Sequence, residues 1–192
     1  YGRKISKKTQ LISKFTSAQS TLCLNDTSVV KFQRNNLINK TFGSTINDGF
    51  KISDSIREEN KNDIYITATH NAYLSKYGYL HKREIKILKK SGVVNGVDTL
   101  IKKKNIPQGL EFSVRFHIYP GISAIKTLSG QSILLQINPK KSWILISDSH
   151  NLEIERGLFM GRNRVINNDC AVIYGNTNQQ DTCIKWELKR SI

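Results

Sequence analysis

Alternation of apolar and polar residues is the feature that most narrows the folds open to this chain. Glu111 to Ile118 reads EFSVRFHI, with Phe112, Val114, Phe116 and Ile118 on one side and Glu111, Ser113, Arg115 and His117 on the other. Side chains alternate across a strand, so this run predicts a half-buried antiparallel strand with the Phe112 side inward. Asp63 to His70 (DIYITATH) repeats the pattern, with Ile64, Ile66 and Ala68 as its apolar face and Tyr65, Thr67 and Thr69 opposite. Further strands are predicted at Thr21–Leu24, Val29–Phe32, Glu84–Leu88, Val93–Leu100, Ser132–Ile137, Trp143–Ser147, Leu152–Glu155, Ala171–Tyr174 and Cys183–Leu188. Turn signals punctuate them: Asn47-Asp48-Gly49, Ser91-Gly92, Pro107-Gln108-Gly109, Pro120-Gly121, Ser129-Gly130, Asn138-Pro139 and Gly175-Asn176. No amphipathic run sustains a helix beyond two turns, and only Ser53–Asn60 reads as a short helical turn. The expected fold is all-β, a layered antiparallel β-sandwich of about a dozen short strands. The first thirty or so residues look like strands whose partners lay upstream.

A chain of 192 residues buries about 70% of its unfolded surface, so residues 1–192 can form one domain without staples. No apolar stretch approaches the roughly 20 residues of a membrane span. The chain starts at Tyr1 without a visible signal sequence and reads as a piece of something longer, cut at its N-terminus. Thirty Lys and Arg against fifteen Asp and Glu give a net charge of +15. Such a field favours polyanions, whether nucleic acid, anionic lipid or acidic polysaccharide; an AT-rich codon bias would produce the same Lys, Asn and Ile excess without any partner. The lysines are scattered, with Lys102-Lys103-Lys104 the one triple, and they lack the interleaved aromatic platforms of a single-strand nucleic-acid surface. Cys23, Cys170 and Cys183 lie far apart, an odd count that fits buried thiols better than a disulfide framework, with a Cys170–Cys183 bridge left open. Phosphate-loop, GxSxG, HExxH and EF-hand signatures are absent.

The stretch from His70 to Glu84, HNAYLSKYGYLHKRE, concentrates two His, three Tyr and an Arg at the end of one predicted strand and the start of the next. With Leu80–Leu88 extended, His81 and Arg83 share a face, and a connection this short returns the chain beside His70. His70, Tyr73, His81 and Arg83 are therefore expected to cluster at one end of a sheet. Two readings of the cluster stand side by side. In one it binds an acidic sugar, Arg taking the carboxylate or sulfate, Tyr the ring face and His a proton. In the other the tyrosines pack a sandwich edge while His81 and Arg83 hold buried acceptors. His117, on the polar side of its strand, and His150, in a turn, read as residues without a ligand.

His70-Asn71-Ala72-Tyr73, Tyr77-Gly78 and His81-Lys82-Arg83 resemble, in order, the His-Asp-Gly-Tyr, aromatic-Gly and His-x-Arg elements of the heparinase II/III-like family. Gly96-Val97-Asp98-Thr99-Leu100 resembles its Gly-Glu-Asp-x-Leu, and Phe116-His117-Ile118-Tyr119-Pro120 its Phe-His-Leu-His-Pro. Thr16-Ser17-Ala18-Gln19-Ser20-Thr21-Leu22 and Trp186-Glu187-Leu188-Lys189-Arg190 extend the similarity from Thr16 to Arg190. The resemblance implies the C-terminal β-sheet domain of a bacterial polysaccharide lyase, from which the N-terminal α/α toroid is missing. The implied chemistry is β-elimination on a uronic acid, with an acidic polysaccharide as partner and the periplasm or cell envelope as location. Nucleic-acid and membrane partners are not expected.

The toroid's catalytic Tyr and a His-x-His-x-Asp segment fall upstream of Tyr1, so no catalytic residue is assigned within the chain, and substrate binding is assigned to His70, Tyr73, His81 and Arg83. Gln19 stands where some members carry a zinc-binding His; an amide is a poor zinc ligand, so no metal and no other cofactor is expected. A non-catalytic glycan-binding or structural β module of a cell-envelope protein remains the alternative.

Overall fold

The computed structural model describes residues 12–32, 46–104, 109–148, 150–161 and 164–191. Among these, the strands are β1 (Leu22–Leu24), β2 (Lys31–Phe32), β3 (Ile46–Asp48), β4 (Ile52–Glu59), β5 (Asp63–His70), β6 (Tyr79–Leu88) and β7 (Val94–Lys102). They continue as β8 (Glu111–His117), β9 (Ser123–Lys126), β10 (Ser132–Asn138), β11 (Lys141–Ser147), β12 (Leu152–Gly161), β13 (Arg164–Asn176) and β14 (Thr182–Ser191). An α-helix, α1 (Leu74–Tyr77), is a single turn closed by Gly78, whose positive φ of 71° lets its N–H reach back to the Leu74 carbonyl. Eight strands form a large antiparallel sheet in the order β4-β5-β6-β7-β14-β11-β10-β9. Four form a smaller sheet, β1-β8-β13-β12, and β2 pairs with β3.

The two sheets pack as the expected sandwich. Leu22, Val114, Ile173 and Leu152 stand side by side across the whole small sheet, and none has exposed surface. Tyr79, Leu100, Ile184, Leu145 and Ile133 supply buried residues from five strands of the large sheet. Each such side chain contributes roughly 1.5–3 kcal/mol of transfer free energy. Phe116 of β8 meets Trp186 of β14 edge to face, with centroids 4.9 Å apart, and this contact joins the sheets near the cluster described below.

Glu111–Ile118 behaves as its alternation predicts on the inner side, where Phe112 and Val114 are buried. Its other side is less open than expected, since Ser113 is also buried. Asp63–His70 forms a strand with the predicted bounds, but the burial falls on the other face: Thr67 and Thr69 are 4% exposed while Ile66 is 38% exposed. Strands lie about 4.8 Å apart, so four of them cover only about half of an eight-stranded sheet. The β4–β5 end overhangs, and the isoleucines facing the sandwich there are left partly open.

Ser53–Asn60, expected as a helical turn, instead runs as edge strand β4 up to Glu59, and the strand is exposed along its full length. Pairing with β5 satisfies one side of its backbone, a bulge between Ser53 and Ile56 with Asp54 at φ 52° bends it, and Arg57, Glu58 and Glu59 suit an exposed edge. The early segment is not orphaned either, because β1 finds its partner in β8. Cys23 and Cys170 are buried thiols and Cys183 is exposed; no disulfide joins them. Burial pushes the Cys23 thiol up to about 11. The turn positions Pro107 and Gln108 lie outside the described residues.

Candidate functional site

The registers of β5, β6, β7 and β14 bring three adjacent rows of inward-facing residues together. His70 pairs with His81, which pairs with Leu100. Ala68 pairs with Arg83, Arg83 with Asp98, and Asp98 with Ile184. Ile85 pairs with Gly96, and Gly96 with Trp186. The short segment between His70 and Tyr79, containing α1, returns the chain so that the two histidines face each other.

Asp98 is the hub. Its side chain has no exposed surface, and it accepts four hydrogen bonds. His81 Nε2 donates to Oδ1 at 2.7 Å, Arg83 Nε to Oδ1 at 2.7 Å and Arg83 Nη2 to Oδ2 at 2.9 Å, while Trp186 Nε1 donates to Oδ2 at 2.9 Å. Burial alone would raise the Asp98 carboxyl, but these bonds and the Arg83 charge outweigh it and hold the group down to about 2. Arg83 also donates from Nη1 to the Ser20 carbonyl at 2.7 Å. The fork thus ties the carboxylate to the Thr16–Leu22 segment.

The histidine tautomers follow from the same bonds. The Ala72 N–H donates to His70 Nδ1 at 3.3 Å, so neutral His70 carries its proton on Nε2. That proton is donated to His81 Nδ1 at 2.9 Å, which leaves the His81 proton on Nε2 for Asp98. All four ring nitrogens are committed. Burial, followed by the unfavourable effect of a second proton beside His81 and Arg83, lowers His70 to about 4. Phe50 and Tyr73 flank its ring, at centroid distances of 5.1 and 5.7 Å. Tyr73 is fully buried and donates to the Leu22 carbonyl at 3.0 Å; burial pushes its hydroxyl well above the ordinary phenol range.

The four residues singled out from the sequence are therefore brought together, at unequal depth. Tyr73 and His81 are sealed, at 0% and 2% exposure, whereas His70 and Arg83 are half-buried. Sequence reasoning left Asp98 and Trp186 out of the site. The signal was present in Gly96-x-Asp98-x-Leu100, whose spacing of two places all three on one strand face. Gly96 leaves room for the indole: a Cβ there would sit 2.0 Å from the Trp186 ring.

His117 binds the Ser17 carbonyl through Nε2 at 3.0 Å, and its N–H bonds Ser20 Oγ at 3.0 Å, so it braces the same early segment. His150 packs on Phe112 with centroids 5.4 Å apart. The Gln19 amide donates to the Ser13 carbonyl at 2.9 Å. No group of three or more His, Cys, Asp or Glu that could hold a metal occurs among the described residues. Lys102, Lys103 and Lys104 line an open groove of about 530 Å³ with Gln179, Gln180 and Asp181, beyond the end of β7. No helix among the described residues is long and apolar enough to cross a membrane.

Comparison with solved structures gives the same fold at low sequence identity. A heparan sulfate lyase, HepC from Pedobacter heparinus, superposes with a TM-score of 0.73 at 14% identity, over 99% of this chain and 26% of the lyase. The heparinase III BT4657 gene product superposes with a TM-score of 0.69 at 9% identity, over 100% of this chain and 26% of its own. Another heparinase III gives a TM-score of 0.64 at 11% identity, again over 26% of its length. The chain thus spans about a quarter of these proteins. No curated protein sequence matches it. The model of the heparinase II/III-like C-terminal domain matches residues 2–187, which include the Asp98 hub and every residue bonded to it. The chain belongs to the heparinase II/III-like family, as its C-terminal domain.

Proposed function

We propose that residues 1–192 form the C-terminal β domain of a polysaccharide lyase acting by β-elimination on an acidic polysaccharide that contains uronic acid. What supports this reading is the family match over residues 2–187 together with a sandwich shared with a heparan sulfate lyase. An upstream domain supplies the greater part of the cleft, and the periplasm or cell envelope is where such a polymer is met. The net charge of +15 suits a polyanionic substrate. Within the chain, substrate contact falls to His70 and Arg83, which retain exposed surface; Tyr73 and His81 stand behind them and fix their orientation. Arg83 keeps one proton on each terminal nitrogen beyond those used on Asp98 and Ser20, and these can reach a carboxylate or sulfate.

One observation favours a second reading, a structural or glycan-binding module without chemistry: every ring nitrogen of His70 and His81 already has a partner. The test is a lyase assay on the longer parent protein with heparan sulfate and alginate, following the ultraviolet absorbance of the unsaturated uronate product. Product formation is expected, and Arg83→Lys should raise KM more than it lowers kcat. Absence of product from every uronate polymer would overturn the lyase reading.

A further inference from the structure

Beyond His117 the chain turns through Tyr119, Pro120 and Gly121 beside the β12–β13 pair. Tyr119 is 54% exposed, yet its ring is held edge to face against Phe159, centroids 5.2 Å apart. A cavity of about 120 Å³ opens there, lined by Tyr119, Arg156, Asn167, Asn168 and Asp169 among others. A second, of about 180 Å³, is lined by Gln19, His117, Phe159 and the same Asn168. Asn168 is 7% exposed; its Nδ2 donates to the Ile118 carbonyl at 2.7 Å while its Oδ1 has no partner. Such an orphaned acceptor is uncommon in a folded chain and costs stability unless a ligand or water supplies a donor. Arg156 is exposed and makes no ion pair among the described residues, although Asp169 stands opposite it in the register.

We propose that Tyr119, Arg156, Asn167, Asn168 and Asp169 form an accessory subsite for one acidic sugar unit of an oligosaccharide. Tyr119 offers a fixed aromatic face for the C–H side of a pyranose ring. Arg156 forks onto its carboxylate or sulfate. Asp169 and Asn167 accept and donate to hydroxyls, and a hydroxyl entering between the two cavities gives Asn168 Oδ1 its missing donor. Asp169 also sets the class of ligand. A carboxylate beside the cation accepts from ring hydroxyls, which an acidic sugar carries next to its charge and a phosphodiester chain offers sparsely. The choice of an acidic saccharide rests on the proposed function; the position of the subsite rests on the residues named here.

The test titrates the 192-residue chain with a heparan sulfate hexasaccharide, read by calorimetry and by amide chemical shifts. Shifts are expected around Tyr119, Arg156 and Asn167, with binding weakened about tenfold by Arg156→Gln and by Tyr119→Ala. Asn167→Ala provides a third variant if Tyr119→Ala unsettles the turn. A carboxyl-reduced, desulfated hexasaccharide should bind at least about tenfold more weakly. Unchanged affinity in the variants, shifts confined to Lys102–Lys104, or equal competition by single-stranded DNA would each overturn the proposal. The lyase assay separates the two readings. A parent that cleaves uronate polymers while Tyr119 and Arg156 do not affect binding refutes the subsite alone. A parent that cleaves nothing while the chain binds through these residues refutes the lyase reading alone.

Discussion

Asp98 is a buried carboxylate whose charge is balanced by Arg83 and whose oxygens are filled by four donors. Asp98→Asn keeps the shape but leaves Arg83 without its counter-charge and turns an amide N–H₂ toward donors. Breaking a buried pair in this way costs about 3–5 kcal/mol, and Arg83, at 20% side-chain exposure, places the expected loss near the lower end. Urea denaturation should show a lower midpoint at unchanged slope. The histidines make a separate prediction in pH. His70 is lowered to about 4 in the folded chain, so as pH falls the unfolded chain takes up the proton first. Stability from this group is complete above about 6.5 and declines as pH falls toward 4, by roughly 2–3 kcal/mol in all. Melting temperature against pH should show that decline, and His70→Gln should flatten it; an equal slope in the variant would place the titration elsewhere. His70, Tyr73, His81 and Arg83 were legible as a cluster because one short connection joins their strands. Asp98 and Trp186 were not, because alternation shows which side of a strand faces inward and says nothing of its register with strands 15 and 88 positions away.

At the scale of the element, β7 and β14 fit only because Gly96 carries no side chain. A methyl group there would lie 2.0 Å from the Trp186 ring, so Gly96→Ala must move the indole, and with it both the bond to Asp98 and the edge-to-face contact with Phe116. The expected cost is about 1–3 kcal/mol from overpacking, with a red-shifted tryptophan emission as the ring leaves its pocket. A variant with unaltered emission and midpoint would show that the strands can separate without loss. Motif spacing made this element readable, since Gly96, Asp98 and Leu100 share one face. The β4–β5 region was less readable for a reason outside its own sequence. How much of Ile66 is buried depends on how far the second sheet reaches, and Ser53–Glu59 takes its conformation from pairing with β5 rather than from local preference.

For the molecule as a whole, the prediction concerns what this chain does without the rest of a parent. It covers 26% of the lyases it resembles in fold. Elimination at a uronate needs a base, an acid and a charge-stabilising group on one sugar, and a misplacement of about 1 Å can cost 100-fold in rate. The described residues do not offer that set in one open place. Tyr73 is buried with its hydroxyl bonded to a carbonyl and its acidity suppressed, which makes it a poor base. The histidine nitrogens are all engaged, and Asp98 is closed off. The exposed cations include Arg156 beside Tyr119 and the lysines of the groove at the end of β7; a guanidinium or ammonium there can attract a polyanion but supplies no base. The isolated chain is therefore expected to bind heparan sulfate with an affinity that falls steeply as salt rises, and to release no unsaturated product from it. Incubation at high protein concentration, followed by ultraviolet absorbance and product sizing, checks this directly. Cleavage by the chain alone would mean that the base lies within these 192 residues, and His70, freed by an opening of its bond to His81, would be the first residue to substitute.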